Sequence, residues 1–517
     1  MARLSVLTWL GNALAVLLGK HGDVTQQAQQ AGCSRQAAYE HAQRVQHAVE
    51  QARLPGPRRD QLLAENCRLK EQVVALQRQL GQAVVLDRAK QERLAVTTSA
   101  MGLSLNQIRD VFAILVDQAK GKLPGRATVG RWVRRYANKA GKLLGALDRH
   151  TRPAAQDLCA DEIFFHGTPV LVGVEPHSMA VLLCQRAQDR SGETWHDALG
   201  PFTGLEYVAC DQGKGLLAGL LALGQERGEP ATRLEVGLDV FHTQREAHKV
   251  LGHWWRQVQS RWDQAEAADR AVAQARQQGR DGRGPAARAR AAWGRVGWEW
   301  SFYERQQATW LRAKAALGLF RPDGRLNDRA WAQKEIAAAC RAMAGPRWRK
   351  VRAMLQDGRA LTFLDRVQRR LAQAEPRAPL REALCRLWRL ERGPRTGAGV
   401  GAAVVQRVVC AKLAADWGAS YARVSAVLGG VVRASSAVEC VNSVLRMQQA
   451  RHRGLGQEML DLKRLYWNSR PFRAGKRKRK CPYQLLGVQL PTYDFWELLQ
   501  RDPAQLEQEL STPGVAA

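Results

Sequence analysis

The stretch "LCADEIFFHGTPVLVGVEPHSMAVLLCQRA" (residues 158–187) decides the fold. Its three short apolar runs, "LCADEIFFHG", "PVLVGVE" and "MAVLLCQRA", are separated by Gly, Pro and polar turns, a spacing that predicts three consecutive strands in a meander. Alternation along the first run puts Asp161 on the same face as Cys159, Ile163 and Phe165. A carboxylate buried in a strand is costly unless it is paired or binds a metal. Asp161 therefore stands out before any function is in view.

Downstream, "LEYVACD" (205–211) predicts a fourth strand closing on Asp211, just before a Gly-containing turn and the helix "GKGLLAGLLALG". "TRLEVGLDVFH" (232–242) predicts a fifth strand carrying Asp239 and His242 at its end. The strand signal then stops. From about 243 to 435 the pattern is helical, broken by the loop-like "QQGRDGRGPAARAR" at 277–290, and holds 11 of the 16 tryptophans, most of them expected in the core. "SSAVECVNSVLRMQQARHR" (435–453) then predicts a helix capped by Ser435 or Ser436, with Val438, Val441 and Leu445 buried. Glu439, Asn442 or Ser443, and Arg446 line the adjacent stripe.

Upstream, the chain is helical and basic. Lys and Arg number 79 against 48 Asp and Glu, a net charge of +31. Such a field attracts polyanions, nucleic acid first among them. Residues 22–45 have the layout of a helix-turn-helix, with Ser34 as N-cap and Arg35 and Gln36 exposed to reach DNA, although a plain helical hairpin fits the same letters. After "PGPRR" (55–59), Leu62, Leu69, Leu76 and Ala83 occupy one heptad seam position and Asn66, Val73 and Leu80 the other. This pattern suits a coiled coil between copies or an amphipathic helix lying on its own domain. Residues 96–150 predict a second DNA-binding unit, with Val129, Trp132, Val133 and Tyr136 inward and Arg131, Arg134, Arg135 and Lys139 outward. The scattered cysteines form no Cys-x-x-Cys pair, which argues against a zinc site or a disulfide framework. "LSVLTWLGNALAVLLG" near the start is read as a packed helix, and no apolar run reaches the length of a membrane span.

Two strand aspartates and a helix glutamate suit a pair of Mg²⁺ ions about 3.5–4 Å apart, the arrangement of two-metal phosphodiester chemistry. The order of elements, with Asp161 on the first strand, Asp211 ending the fourth and Glu439 on a late helix, resembles the RNase H-like core of the DDE transposases. "DVFH" (239–242) matches the Cys or Asp, two residues and His that follow the second aspartate in members with a helical insertion. "LYWNSRPFRAGKRKRKCPYQLLGVQLP" (465–491) is similar to the tail of bacterial insertion-sequence transposases. The resemblance implies an α/β protein whose RNase H-like core, a mixed five-stranded sheet flanked by helices, is interrupted by a large all-α insertion. Helix-turn-helix domains and a short coiled coil precede that core.

Its domains would be 1–55 (helix-turn-helix), 58–95 (dimerisation helix), 96–150 (second DNA-binding domain), 151–245 and 431–475 (catalytic core), 246–430 (Trp-rich insertion) and 476–517 (basic tail). The implied activity is cleavage of phosphodiester bonds at element ends followed by strand transfer. Asp161, Asp211 and Glu439 would hold two Mg²⁺ or Mn²⁺ per active site, with Asp239 and His242 as further active-site residues. Double-stranded DNA, both terminal repeats and target, is the implied partner. Arg446 and a flexible basic segment, Lys476, Arg477, Lys478, Arg479 and Lys480, would meet its phosphates. The protein is expected as a homodimer or higher oligomer, cytoplasmic and associated with the bacterial nucleoid, with no membrane. A non-catalytic DNA-binding protein, a nuclease of the same fold and an RNA-processing enzyme are the competing classes. The presence of all three acids favours an active enzyme.

Overall fold

The computed structural model describes residues 5–51, 56–82, 86–115, 123–228, 234–393, 396–451 and 455–511. The chain divides into two compact units, Met1–Leu86 and Asp87–Ala517.

In the first unit, helices α1 (Val6–Leu18), α2 (Asp23–Gln30), α3 (Arg35–Gln51) and α4 (Gly56–Gln82) follow one another. Gly32 takes the left-handed conformation (φ +62°) that turns the chain between α2 and α3. The Ser34 hydroxyl accepts a hydrogen bond from the Ala37 N–H (3.1 Å), the expected N-cap. Ala28, Ala38 and Ala42 are buried, while Arg35 and Gln36 are exposed at the start of α3. On α4, Leu62, Leu69, Val73 and Leu76 are exposed, so this apolar seam stays uncovered within its own unit. Ala83 lies outside the described residues.

The second unit begins with α5 (Arg88–Met101), α6 (Leu105–Leu115) and α7 (Arg126–Ala154). Strands β1 (Asp157–Phe165), β2 (Thr168–Glu175) and β3 (Ala180–Arg186) follow as the expected meander, and β4 (Tyr207–Cys210) and β5 (Glu235–Leu238) come after α8 (Gly192–Leu199) and α9 (Lys214–Glu226) respectively. The five strands form one mixed sheet in the order β3-β2-β1-β4-β5. The first three pair antiparallel, while β4 lies parallel to β1 and to β5. The fifth strand is shorter than its letters predict: it stops at Leu238, and "VFH" opens the next helix, α10 (Val240–Gln277). Asp239 causes this break, because its carboxylate accepts the Phe241 N–H (2.7 Å) as an N-cap.

Between β5 and the Glu439 helix lie α10, α11 (Arg283–Ala316), α12 (Arg329–Ala342), α13 (Arg349–Gln356), α14 (Thr362–Ala374), α15 (Ala378–Arg392), α16 (Gly397–Leu413) and α17 (Trp417–Gly429). The expectation that most tryptophans here are core holds only in part: Trp293, Trp331, Trp388 and Trp417 pack partly buried against the cores. Trp310 and Trp348 are buried, but Trp255, Trp262, Trp298 and Trp300 are exposed along the α10–α11 pair. Beyond its base, two long helices packed on each other offer a thin seam, here Ala265, Ala292 and Val296, against which Trp293 packs only partly buried.

The chain closes with α18 (Ser436–Gln449), α19 (Gln457–Ser469), α20 (Pro482–Leu486), α21 (Phe495–Gln500) and α22 (Pro503–Ser511). One sheet face packs Leu158, Ala160, Leu182 and Val208 against α8 and α9. The other packs Cys159, Ile163, Val172 and Ala209 against Val438, Val441 and Leu445 of α18. Two sequence expectations need correction here. Val129, Val133 and Leu144 of α7 share one core with Leu462, Tyr483, Leu498 and Leu506 of the C-terminal helices. The described residues of 96–150 therefore do not form a separate domain, and 476–511 is a folded part of the same body, where a tail was expected; 512–517 lie outside the described residues. No described helix is long and apolar enough to cross a membrane.

Candidate active site

β1 and β4 pair in parallel up to Ala160 opposite Cys210, where β4 ends and β1 runs on. The next residue on each is an acid, so Asp161 and Asp211 stand side by side at the carboxyl end of the parallel pair. Asp161 faces α18, where the Asn442 Nδ2 donates to its Oδ2 (2.7 Å), and its Oδ1 accepts the Glu162 N–H (2.9 Å). Asp211 Oδ1 accepts the Gly213 N–H (2.8 Å), which ties that carboxylate to the start of α9.

A third acid, absent from the sequence reading, joins them. Alternation sends Glu162 to the α8–α9 side of the sheet, yet beyond the end of β4 no strand separates the two faces. Carboxylate oxygens of Asp161, Glu162 and Asp211 lie within 4.8 Å of one another. The only hint in the sequence was adjacency, "DE" beside a strand end.

Glu439 lies on α18 one turn before Asn442, outside that tight group. Its carboxylate is 3.8 Å from the His242 Nε2 and 3.7 Å from Arg446. Burial pushes the Asp161 carboxyl up to about 7, and the charges of Asp211, Glu439 and Glu162 push the same way. The crowding of carboxylates thus favours a proton or a cation at Asp161.

Asp239 and His242 form a second layer. Besides capping α10, buried Asp239 accepts from the His242 Nδ1 (2.8 Å) and from the Ser435 hydroxyl. Ser435 stands at the N-cap of α18 as expected, but its side chain reaches Asp239 and not its own helix. Burial alone would raise the Asp239 carboxyl; its hydrogen bonds from His242 and Ser435 outweigh that and hold it low. The bond to Asp239 raises His242, against the opposing effect of burial. The imidazole thus spends Nδ1 on Asp239 and turns Nε2 towards Glu439.

The basic residues do not form one surface. Arg131 and Arg134 are exposed on α7, whereas Arg135 pairs with Glu92 and the Lys139 Nζ donates to the Gln500 carbonyl (2.8 Å). Arg446 is exposed beside Glu439. The segment read as flexible is ordered: the Phe472 N–H donates to the Lys480 carbonyl (3.0 Å), and Arg477 donates to the carbonyls of Pro176 and His177 (both 2.9 Å). Lys476, Lys478, Arg479 and Lys480 remain exposed.

The donor set at the centre consists of carboxylate oxygens, which suits a hard divalent cation. Gly213 keeps its approach open: a Cβ there would stand 3.0 Å from the Asp211 Oδ1 and 3.6 Å from the Glu162 Oε2. No family model, curated protein or solved structure matches this chain.

Proposed function

We propose that the protein is a DNA transposase of the DDE type, with an RNase H-like catalytic core, that binds element ends, cleaves phosphodiester bonds and joins the ends to target DNA. The observation that carries this reading is the pairing of Asp161 and Asp211 at the ends of two adjacent parallel strands, with Glu439, from a helix far downstream, outside their close group but near enough for its charge to act on Asp161. A three-strand meander extended by two parallel strands agrees with it.

Asp161, Asp211 and Glu439 would hold two Mg²⁺ or Mn²⁺ ions, which when bound supply charge neutralisation at phosphate and activation of a water or 3′-hydroxyl. Asn442 fixes the rotamer of Asp161, and Gly213 that of Asp211. Asp239 keeps a proton on the His242 Nδ1, so that the ring carries positive charge towards the DNA strand when protonated. Exposed Arg446, beside Glu439, would meet a backbone phosphate. Arg35 and Gln36 at the start of α3 would read base edges of the terminal repeats, and the apolar seam of α4 would join two copies.

The test is cleavage and strand transfer in vitro with Mg²⁺ or Mn²⁺ and a duplex carrying the sequence that flanks the gene, run beside Asp161→Ala, Asp211→Ala and Glu439→Ala. The expected result is joining by the wild type and, for each variant, DNA binding without cutting. If wild type and variants bind alike and none cuts with either metal, the protein is a DNA-binding regulator.

A further inference from the structure

We propose that Glu162 is a third carboxylate ligand, with Asp161 and Asp211, of a divalent cation that the protein holds before any DNA arrives. The inference rests on the two-metal reading only for the use made of that ion.

Three observations carry it. The oxygens of Asp161, Glu162 and Asp211 are already within 4.8 Å of one another, close to the roughly 4 Å that separates opposite ligands across one Mg²⁺. The Glu162 side chain is only 8% exposed, and its Oε2 is buried with no hydrogen-bond partner. Buried polar oxygens are nearly always satisfied, so an ionisable one left open towards two other carboxylates marks a missing positive partner. Its other oxygen is not free: the Arg190 guanidinium donates to Oε1 (2.8 Å). An outer hydrogen bond of this kind fixes the orientation of a ligating carboxylate.

The three acids also reach the strand end from both faces of the sheet, Asp161 from the α18 side and Glu162 from the α8–α9 side. An ion there is enclosed by protein oxygens. Glu439 stands apart, with His242 and Arg446 as neighbours. The two ions thereby become unequal. One would be held by three protein carboxylates with water completing its shell, and the second, with fewer protein oxygens, would be completed by phosphate.

The experiment is a titration of the full-length, chelator-stripped protein with Mn²⁺ in the absence of DNA, with free Mn²⁺ followed by electron paramagnetic resonance. Glu162→Gln keeps the size of the side chain and an oxygen for Arg190. The wild type is expected to bind Mn²⁺, and Glu162→Gln to bind it at least about tenfold more weakly while melting, metal-free, at or above the wild-type temperature. Unchanged Mn²⁺ affinity in Glu162→Gln, with or without a lower melting temperature, would overturn the proposal and leave Glu162 as the structural partner of Arg190. So would a wild type that binds no Mn²⁺ until DNA is added. If Glu162→Gln loses the ion but the wild type neither cuts nor joins DNA, the ion site stands and the transposase reading falls.

Discussion

Where β1, β4 and β5 begin, Asp157, Glu206 and Glu235 meet arginines of α14; where β1 and β4 end, Asp161, Glu162 and Asp211 meet far less positive charge. At the first end, Arg366 lies buried and donates to Asp157 (2.6 Å) and Glu206 (3.0 Å), Arg369 pairs with Glu235, and Arg370 donates to Glu206 (3.2 Å). At the other end, the guanidinium groups are Arg190 on one oxygen of Glu162 and Arg446 at 3.7 Å from Glu439, both more than half exposed. Acids of the same kind are thus used in two ways on one sheet. A buried ion pair adds little net stability, but it fixes where two pieces meet. The first end staples the helical segment to the sheet, and at the second the carboxylates crowd one another with little positive charge beside them.

The comparison can be broken by experiment, beginning with the largest effect. Asp161→Ala is expected to lower cleavage by at least roughly 10³-fold, as loss of a central catalytic group does, with DNA affinity in a mobility-shift assay unchanged. If cleavage survives, the open end is not a reaction centre.

Arg366→Ala attacks the stapled end. It leaves Asp157 buried without its arginine partner, with only the half-exposed His177 and the more distant Arg370 beside it, and a loss of about 3–5 kcal/mol in urea denaturation is expected. A loss below about 1 kcal/mol, the range of exposed pairs, would show that the two ends do not differ in kind.

Asp161→Asn should have the opposite sign. It relieves the crowding of carboxylates while keeping an oxygen for Asn442, so the chelator-treated variant should be more stable than wild type by on the order of 1 kcal/mol. Added Mn²⁺ should then raise its melting temperature less than it raises that of the wild type.

The smallest effect is a pH dependence at the stapled end. The hydrogen bond to Asp157 (3.0 Å) raises His177 above its ordinary value, with Glu175 helping and burial and Arg370 opposing. A histidine whose folded value is raised contributes stability fully below its unfolded value and loses it as pH rises through the folded one. His177→Asn should therefore show a flatter fall in stability from pH 6 upwards. The ring is nearly half exposed, which keeps the difference small. Parallel curves for wild type and variant would remove His177 from the staple.

The sequence made the meander, the acids at 161 and 211 and the Ser34 cap legible, because each is written in periodicity or in residues a few positions apart. The end of β5 was misread because "VFH" continues the apolar run, and only the capping bond of Asp239 shows that the helix has begun. Glu162 was invisible to alternation, which separates neighbours onto opposite faces; the rule lapses where the partner strand stops. The packing of α7 on α22 joins residues far apart in the chain, as Leu147 and Leu506 in one core illustrate, and no local pattern encodes it. The exposed tryptophans mislead for a related reason. Hydrophobicity says what a residue would gain by burial, not whether two lone helices have room to bury it.

The hydrogen bond from the Val240 N–H to the Arg433 carbonyl (3.0 Å), beside that from Ser435 to Asp239, brings the departure and the return of helices α10 to α17 to the same spot. A segment anchored this way behaves like a bead tied at one knot. Closing a loop costs only about 0.6 kcal/mol more for each doubling of its length, so helices can be gained or trimmed at its far end without moving the acids. Changes at the segment's outer reaches are thus expected to leave the acids in place, while changes at the knot at 239–240 and 433–435, or to the α14 arginines, are expected to shift them.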